Sequence, residues 1–216
     1  ILIKIARKDN VMKMTMERML QIDRSALSHD NTYHILVQDI QNEMVPLCRE
    51  IEAMNPSSII EIGVAYGATL RIWYEIIKSG GKVVGIDTSP LKPGPDIVYG
   101  VRWDIDDVTD GKKVYYVQGY STKPQTIEKV KGHINLGETD VLFIDAGHSY
   151  EEVKDDYVNY FPFLRVGGML VLCDTNIDNG PAGPYKLWAE IENTLDNPHI
   201  IHGGCGTAVG YKKAAK

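Results

Sequence analysis

Apolar residues along this chain fall into two periods. Short runs rich in Val, Ile and Leu recur at 59–62, 82–87, 114–117, 140–145 and 169–174, and each closes at a glycine or an acid. Runs of that length bounded by turn residues read as strands buried on both faces. Between them the spacing becomes helical, first at Ala68, Leu70, Ile72, Trp73, Ile76 and Ile77. A second helix is predicted over 126–134. A third opens at Ser149, with Glu152 in capping-box spacing, and runs to about Tyr160, just before Pro162. A Pro/Gly-rich loop at 178–184 precedes a fourth over 185–195, and two last strands are predicted at 199–202 and 207–211. Upstream, Leu36, Ile40, Met44, Leu47 and Ile51 keep helical spacing, with Pro46 as a candidate kink and Asn55-Pro56 as the stop.

Strands alternating with helices predict an α/β fold: a Rossmann-like, doubly wound, mostly parallel seven-stranded sheet with helices on both faces. Right-handed crossovers put the C-terminal ends of the strands on one rim, where such folds bind ligands. That rim gathers Glu61, Gly63, Gly67, Asp87, Ser121, Asp145, His148 and Asp174. Polar groups delivered to one edge by apolar strands are the strongest functional signal in the chain.

The first turn, Gly63-Val64-Ala65-Tyr66-Gly67, joins a strand to a helix and leaves backbone N–H groups open to a ligand. Just before it, Glu61 is a carboxylate late in a buried strand, costly unless something uses it. Dinucleotide enzymes need G-x-G-x-x-G, whereas this chain has Gly63-x-x-x-Gly67 with an acid ahead of it. A carboxylate there repels a pyrophosphate and attracts a cationic sulfonium. Asp87 accepts ribose hydroxyls in either class. The balance favours S-adenosylmethionine over NAD.

These segments resemble the class I S-adenosylmethionine-dependent methyltransferases. Glu61-x-Gly63-x-Ala65-x-Gly67 is similar to their first motif, with alanine in place of the usual middle glycine. Val83-Val84-Gly85-Ile86-Asp87 is similar to the second, and Leu164-Arg165-Val166-Gly167-Gly168 to the turn before strand five. Ile144-Asp145-Ala146-Gly147-His148-Ser149-Tyr150-Glu151 resembles a segment of the subgroup holding cephalosporin hydroxylase-like proteins and macrolide-sugar O-methyltransferases. The resemblance implies a cofactor site of Glu61, Gly63, Ala65, Tyr66, Gly67 and Asp87, with Gly119, Tyr120 and Ser121 at the adenine and Asp145 beside it. Many relatives carry an aspartate where this chain has Tyr120. It further implies a domain over 55–216, with an N-terminal helical segment, 1–54, helping to form the acceptor site.

Methyl transfer to a hydroxyl needs that group deprotonated and held in line, which a divalent metal achieves. Asp145 and Asp174 end adjacent predicted strands and are the candidate Mg²⁺ ligands, with Asn176 or water as a third. His148 is the candidate general base, and Asp145 and His148 the catalytic pair. The expected activity is metal-assisted O-methylation of a small-molecule hydroxyl, on a sugar or natural product. The rivals are a cephalosporin hydroxylase-like enzyme on the same scaffold, a non-catalytic nucleoside-binding protein and, last, an NAD-dependent dehydrogenase.

Bulk properties narrow this further. At 216 residues and 44% hydrophobic content the chain suits one core, and a net charge of −6 disfavours nucleic acid or an anionic membrane. Cys48, Cys173 and Cys205 show no metal-binding or disulfide spacing, which suits a reducing cytoplasm. No apolar run reaches the roughly 18 residues of a membrane span, and no signal-peptide core opens the chain. A small-molecule acceptor is the expected partner, and a homo-oligomer is an expectation from relatives that associate through N-terminal segments. Met12, Met16, Met19 and Leu20 read as a packing stripe. Trp73 and Trp188 read as core, and Trp103 and Tyr185 as candidates for an acceptor pocket. His29, His34, His133, His199 and His202 have no catalytic context, and Asp104, Asp106, Asp107 and Asp110 read as a solvated loop.

Overall fold

Each strand places alternate side chains on opposite faces of one sheet, and that alternation builds two cores. A computed structural model of the chain describes residues 14–15, 17–19, 40–65, 67–89, 110–176 and 182–214. Its strands are β1 (Ser58–Ile62), β2 (Lys82–Asp87), β3 (Lys113–Gln118), β4 (Thr139–Ile144), β5 (Leu164–Leu172), β6 (Leu195–Ile201) and β7 (Thr207–Lys212). They form a single seven-stranded sheet in the order β3-β2-β1-β4-β5-β7-β6. All neighbours are parallel except β7, which runs antiparallel between β5 and β6.

Ile59, Val83, Val141, Phe143, Met169, Val171 and Val209 face one side of the sheet, covered by α1 (Val45–Met54) and α2 (Ala68–Ile76). Ile60, Ile62, Val84, Ile86, Leu142, Ile144, Leu170 and Leu172 face the other. There α3 (Pro124–Lys131), α4 (Tyr150–Tyr160) and α5 (Ala182–Ile191) cover them with Val130, Val153, Tyr160, Leu187 and Trp188. Trp73 and Trp188 are buried in these cores, as expected, and Met14 and Met19 join the first.

Two elements differ from the expected course. A π-helical turn, Ile40–Met44, precedes α1, so Pro46 stands in the first turn of a new α-helix. Its missing N–H is harmless in that first turn. Helix α5 begins at Ala182, inside the segment read as loop, because Gly183 and Pro184 fit a first turn. Leu195 then opens β6 where helix was expected. Met12, Met16, Leu20, His29, His34, Leu36, Tyr66, Trp103, Asp104, Asp106, Asp107 and the loop residues 178–181 lie outside the described residues.

Candidate active site

Backbone hydrogen bonds extend the ladders past the strand ends and fix the rim. Gly63 donates to Ile86 at 2.9 Å, Asp145 to Ile62 at 2.8 Å, Gly119 to Asp87 at 2.8 Å and Cys173 to Ile144 at 3.0 Å. A cleft of about 510 Å³ opens there, at the point where the strand order reverses between β1 and β4. That is the size and place of a small-molecule site in such folds. Five carboxylates line it, those of Asp87, Asp145, Glu152, Asp156 and Asp174, with His148 as the sole basic side chain among the described residues. A cationic ligand is favoured there and a pyrophosphate repelled.

The first turn owes its shape to packing. Gly63 has φ +87°, and a Cβ on it would collide with the Asp145 carbonyl. Asp87 Oδ2 accepts the N–H groups of Val64 and Ala65, each at 2.9 Å, while Oδ1 accepts from Ser89 at 2.9 Å. The loop amides expected to face a ligand therefore serve Asp87 instead. Ala65 lies at φ +45°, a left-handed conformation costly for a residue with a Cβ.

Glu61 is fully buried and does not line the cleft. The Thr69 hydroxyl donates to its Oε1, and its Oε2 has no partner among the described residues. Burial pushes its carboxyl well above the usual range, opposed by Thr69 and reinforced by Asp145 and Asp87. Its charged form is disfavoured behind the turn. Gly67 likewise stays outside the cleft, as the N-cap of α2 at φ +81°.

Across the rim, three side chains converge. The Nε2 of His148 lies 2.7 Å from Asp174 Oδ2, and one donor atom each of Asp145, His148 and Asp174 falls within 4.8 Å of the others. Asp174 has φ +58°, tolerable for aspartate and consistent with a residue held for its function. Two oxygens and an imidazole nitrogen are a donor set that fits a divalent cation. Asn176 donates its N–H to the Cys205 carbonyl at 2.7 Å and its Nδ2 to that of Gly204 at 3.2 Å, and it does not line the cleft. Its Oδ1, the atom a cation would take, is in neither of these bonds.

The rhamnosyl O-methyltransferase/CmcI family model matches residues 28–198. The chain belongs to this family. Rhamnosyl O-methyltransferase of Mycobacterium tuberculosis (strain H37Rv) is 26% identical over 159 residues, covering 69% of this chain and 60% of that protein. The uncharacterized protein y4gI of Sinorhizobium fredii is 23% identical over 155 residues, 65% of this chain and 16% of that protein. The chain thus spans about three fifths or less of these relatives' lengths. Among solved structures, the O-methyltransferase from Bacillus cereus in complex with SAH has a TM-score of 0.58 at 18% identity, covering 97% of this chain and 94% of that one. MycE methyltransferase from the mycinamycin biosynthetic pathway, in complex with Mg, SAH and mycinamycin VI, has a TM-score of 0.54 at 17% identity, covering 78% and 48%. These likenesses establish a methyltransferase fold.

In this rhamnosyl O-methyltransferase/CmcI family member, Gly63, Ala65, Asp87, Gly119, Tyr120, Ser121, Asp145, His148 and Asp174 all line the one cleft. Tyr185 does not line it. His133 stacks on Tyr115 with ring centroids 4.1 Å apart, and His199 bonds Glu50 at 3.1 Å, so both are accounted for structurally. Cys48, Cys173 and Cys205 are free thiols. Burial and the Asp174 carboxylate push Cys205 up to about 11, leaving an unreactive thiol.

Sequence reading missed Asp156, Glu152 and Cys205 as lining residues. Glu152 was visible only as the reciprocal partner of Ser149, whose capping box is formed. Asp156 had a signal: it shares a helical stripe with Val153 and Tyr160, a place for an apolar side chain.

Proposed function

We propose that this chain transfers the methyl group of S-adenosylmethionine to a hydroxyl of a small molecule, a sugar or natural product. Asp145 and Asp174 hold a divalent cation such as Mg²⁺, and His148 takes the hydroxyl proton. One observation carries this reading: two carboxylates and an imidazole converge at the rim of a cleft whose charged lining is otherwise entirely acidic among the described residues. Family membership supports it, as does the Mg and SAH named for MycE.

When bound, the donor supplies an electrophilic methyl on a positively charged sulfur, and the cation lowers the hydroxyl pKa and orients it. The acceptor oxygen forms the new C–O bond as the C–S bond breaks, the pair of electrons leaves on sulfur, and the proton passes to His148. The His148 side chain is 56% exposed and that of Asp174 16%, so the imidazole faces an entering acceptor while Asp174 orients it from behind. Asp87 Oδ1 retains acceptor capacity for a ribose hydroxyl beyond its bond to Ser89. The carboxylates around the cleft favour a sulfonium over a pyrophosphate, against the NAD reading.

Calorimetry with S-adenosylhomocysteine and Mg²⁺ tests the site, and methyl-labelled donor with a panel of rhamnosides tests the reaction. A labelled methyl ether is the expected product. A hydroxylated product, or no binding of the nucleoside, would overturn the reading. The family description also names CmcI, so product analysis separates methylation from a cephalosporin hydroxylase-like reaction.

A further inference from the structure

The inward stripe of α4 runs Val153, Asp156, Tyr160. Asp156 is only 2% exposed, yet it lines the cleft beside Tyr120, Ser121 and Thr122. Its Oδ1 is buried with no hydrogen-bond partner among the described residues. Burial pushes its pKa up to about 6, opposed by a hydrogen bond with the Ser121 side chain and reinforced by Asp155 and Glu152. The group is therefore mostly ionised at neutral pH and acts as an acceptor. Leaving a buried charged oxygen unpaired is destabilising, and a fold without a use for it would place an apolar residue there.

Holding the turn through the Ser121 side chain accounts for one oxygen of Asp156 and leaves Oδ1 unexplained. The Tyr160 hydroxyl already donates to the Ser121 carbonyl at 2.8 Å, and the Gly119 N–H to the Asp87 carbonyl. Asp156 lines the cleft, and its Oδ1 lacks a donor among the described residues. A nucleoside whose ribose reaches Asp87 lays its base toward the 119–122 turn, because that turn follows the strand next to β2. Tyr120, 67% exposed, offers that base a ring face.

We propose that Asp156 reads the base of the methyl donor: its Oδ1 accepts a hydrogen bond from the 6-amino group of adenine. A 6-oxopurine turns an acceptor oxygen toward the same carboxylate and is rejected. This rests on the S-adenosylmethionine reading above.

The test is calorimetry on the full chain at pH 8 with S-adenosylhomocysteine and its 6-oxo analogue, S-inosylhomocysteine. The wild type is expected to bind the adenine compound about 10- to 100-fold tighter, the cost of opposing two acceptors. Asp156→Asn, whose amide donates to a 6-oxo group, is expected to shrink that ratio to about threefold or less. Equal wild-type affinity for the two compounds, or an unchanged ratio in Asp156→Asn, overturns the assignment. The wild-type comparison decides the matter even if the variant folds poorly. Failure of both compounds to bind the wild type removes the methyl-donor reading itself, whereas equal binding dismisses Asp156 alone.

Discussion

His148 Nε2 and Asp174 Oδ2 stand 2.7 Å apart, bringing the end of β5 to the loop before α4. The pair joins two tasks, since Asp174 both orients the imidazole and belongs to the group that fits a cation. His148→Ala is therefore expected to lower turnover about 100- to 10,000-fold, the usual worth of a positioned base. Calorimetric affinity for S-adenosylhomocysteine should stay within about twofold of wild type. Turnover close to wild type would remove His148 from the chemistry.

The two carboxylates can be tested without an acceptor. Asp145→Asn and Asp174→Asn are each expected to weaken Mn²⁺ binding at least about tenfold, since even an outer-shell partner is worth that much. Titration of the free-ion paramagnetic resonance signal reads it directly. Asn176→Ala tests the expected third ligand: an affinity equal to that of wild type would exclude its Oδ1 from the site.

Asp156 gives a pH dependence of stability. Its folded pKa, about 6, lies above the unfolded carboxylate value near 4, so folding penalises the charged form. Stability is lost as pH rises from about 4 to about 6 and stays lost above, by up to about 3 kcal/mol. Asp156→Asn carries no charge, so its urea midpoint should exceed that of wild type at pH 7.5 and approach it at pH 4. A variant less stable than wild type at pH 7.5 would contradict the burial penalty.

Two positions in the first turn should respond in opposite ways. Ala65→Gly relieves a left-handed alanine and is expected to stabilise by up to about 1 kcal/mol. Gly63→Ala must force a Cβ against the Asp145 carbonyl, at a cost of about 3 kcal/mol or more. Thermal melting of both variants checks the contrast.

Glu61 separates charge from shape. Because burial disfavours its charge, Glu61→Gln is expected to change stability by less than about 1.5 kcal/mol and to leave S-adenosylhomocysteine affinity intact. Loss of that affinity in Glu61→Gln would show that an ionised Glu61 acts on the ligand.

Much of this molecule could be read from local pattern. Val, Ile and Leu runs ending in glycine or acid set the parallel strands, and Ser149 with Glu152 set the start of α4, because burial periods and helix caps depend on neighbours a few residues apart. The same runs carried Asp87, Asp145, His148 and Asp174 to one rim. What each side chain does there was not legible. Asp87 grips the amides of Val64 and Ala65, Glu61 is sealed behind Thr69, and Asn176 bonds to Gly204 and Cys205. Those outcomes depend on strand register and on packing between segments tens of residues apart, which no local spacing encodes. A carboxylate's role follows from the partners that long-range folding gives it. Sequence alone placed the acids at the rim, and tertiary structure decided which are sealed from solvent, which are bonded and which face the cleft.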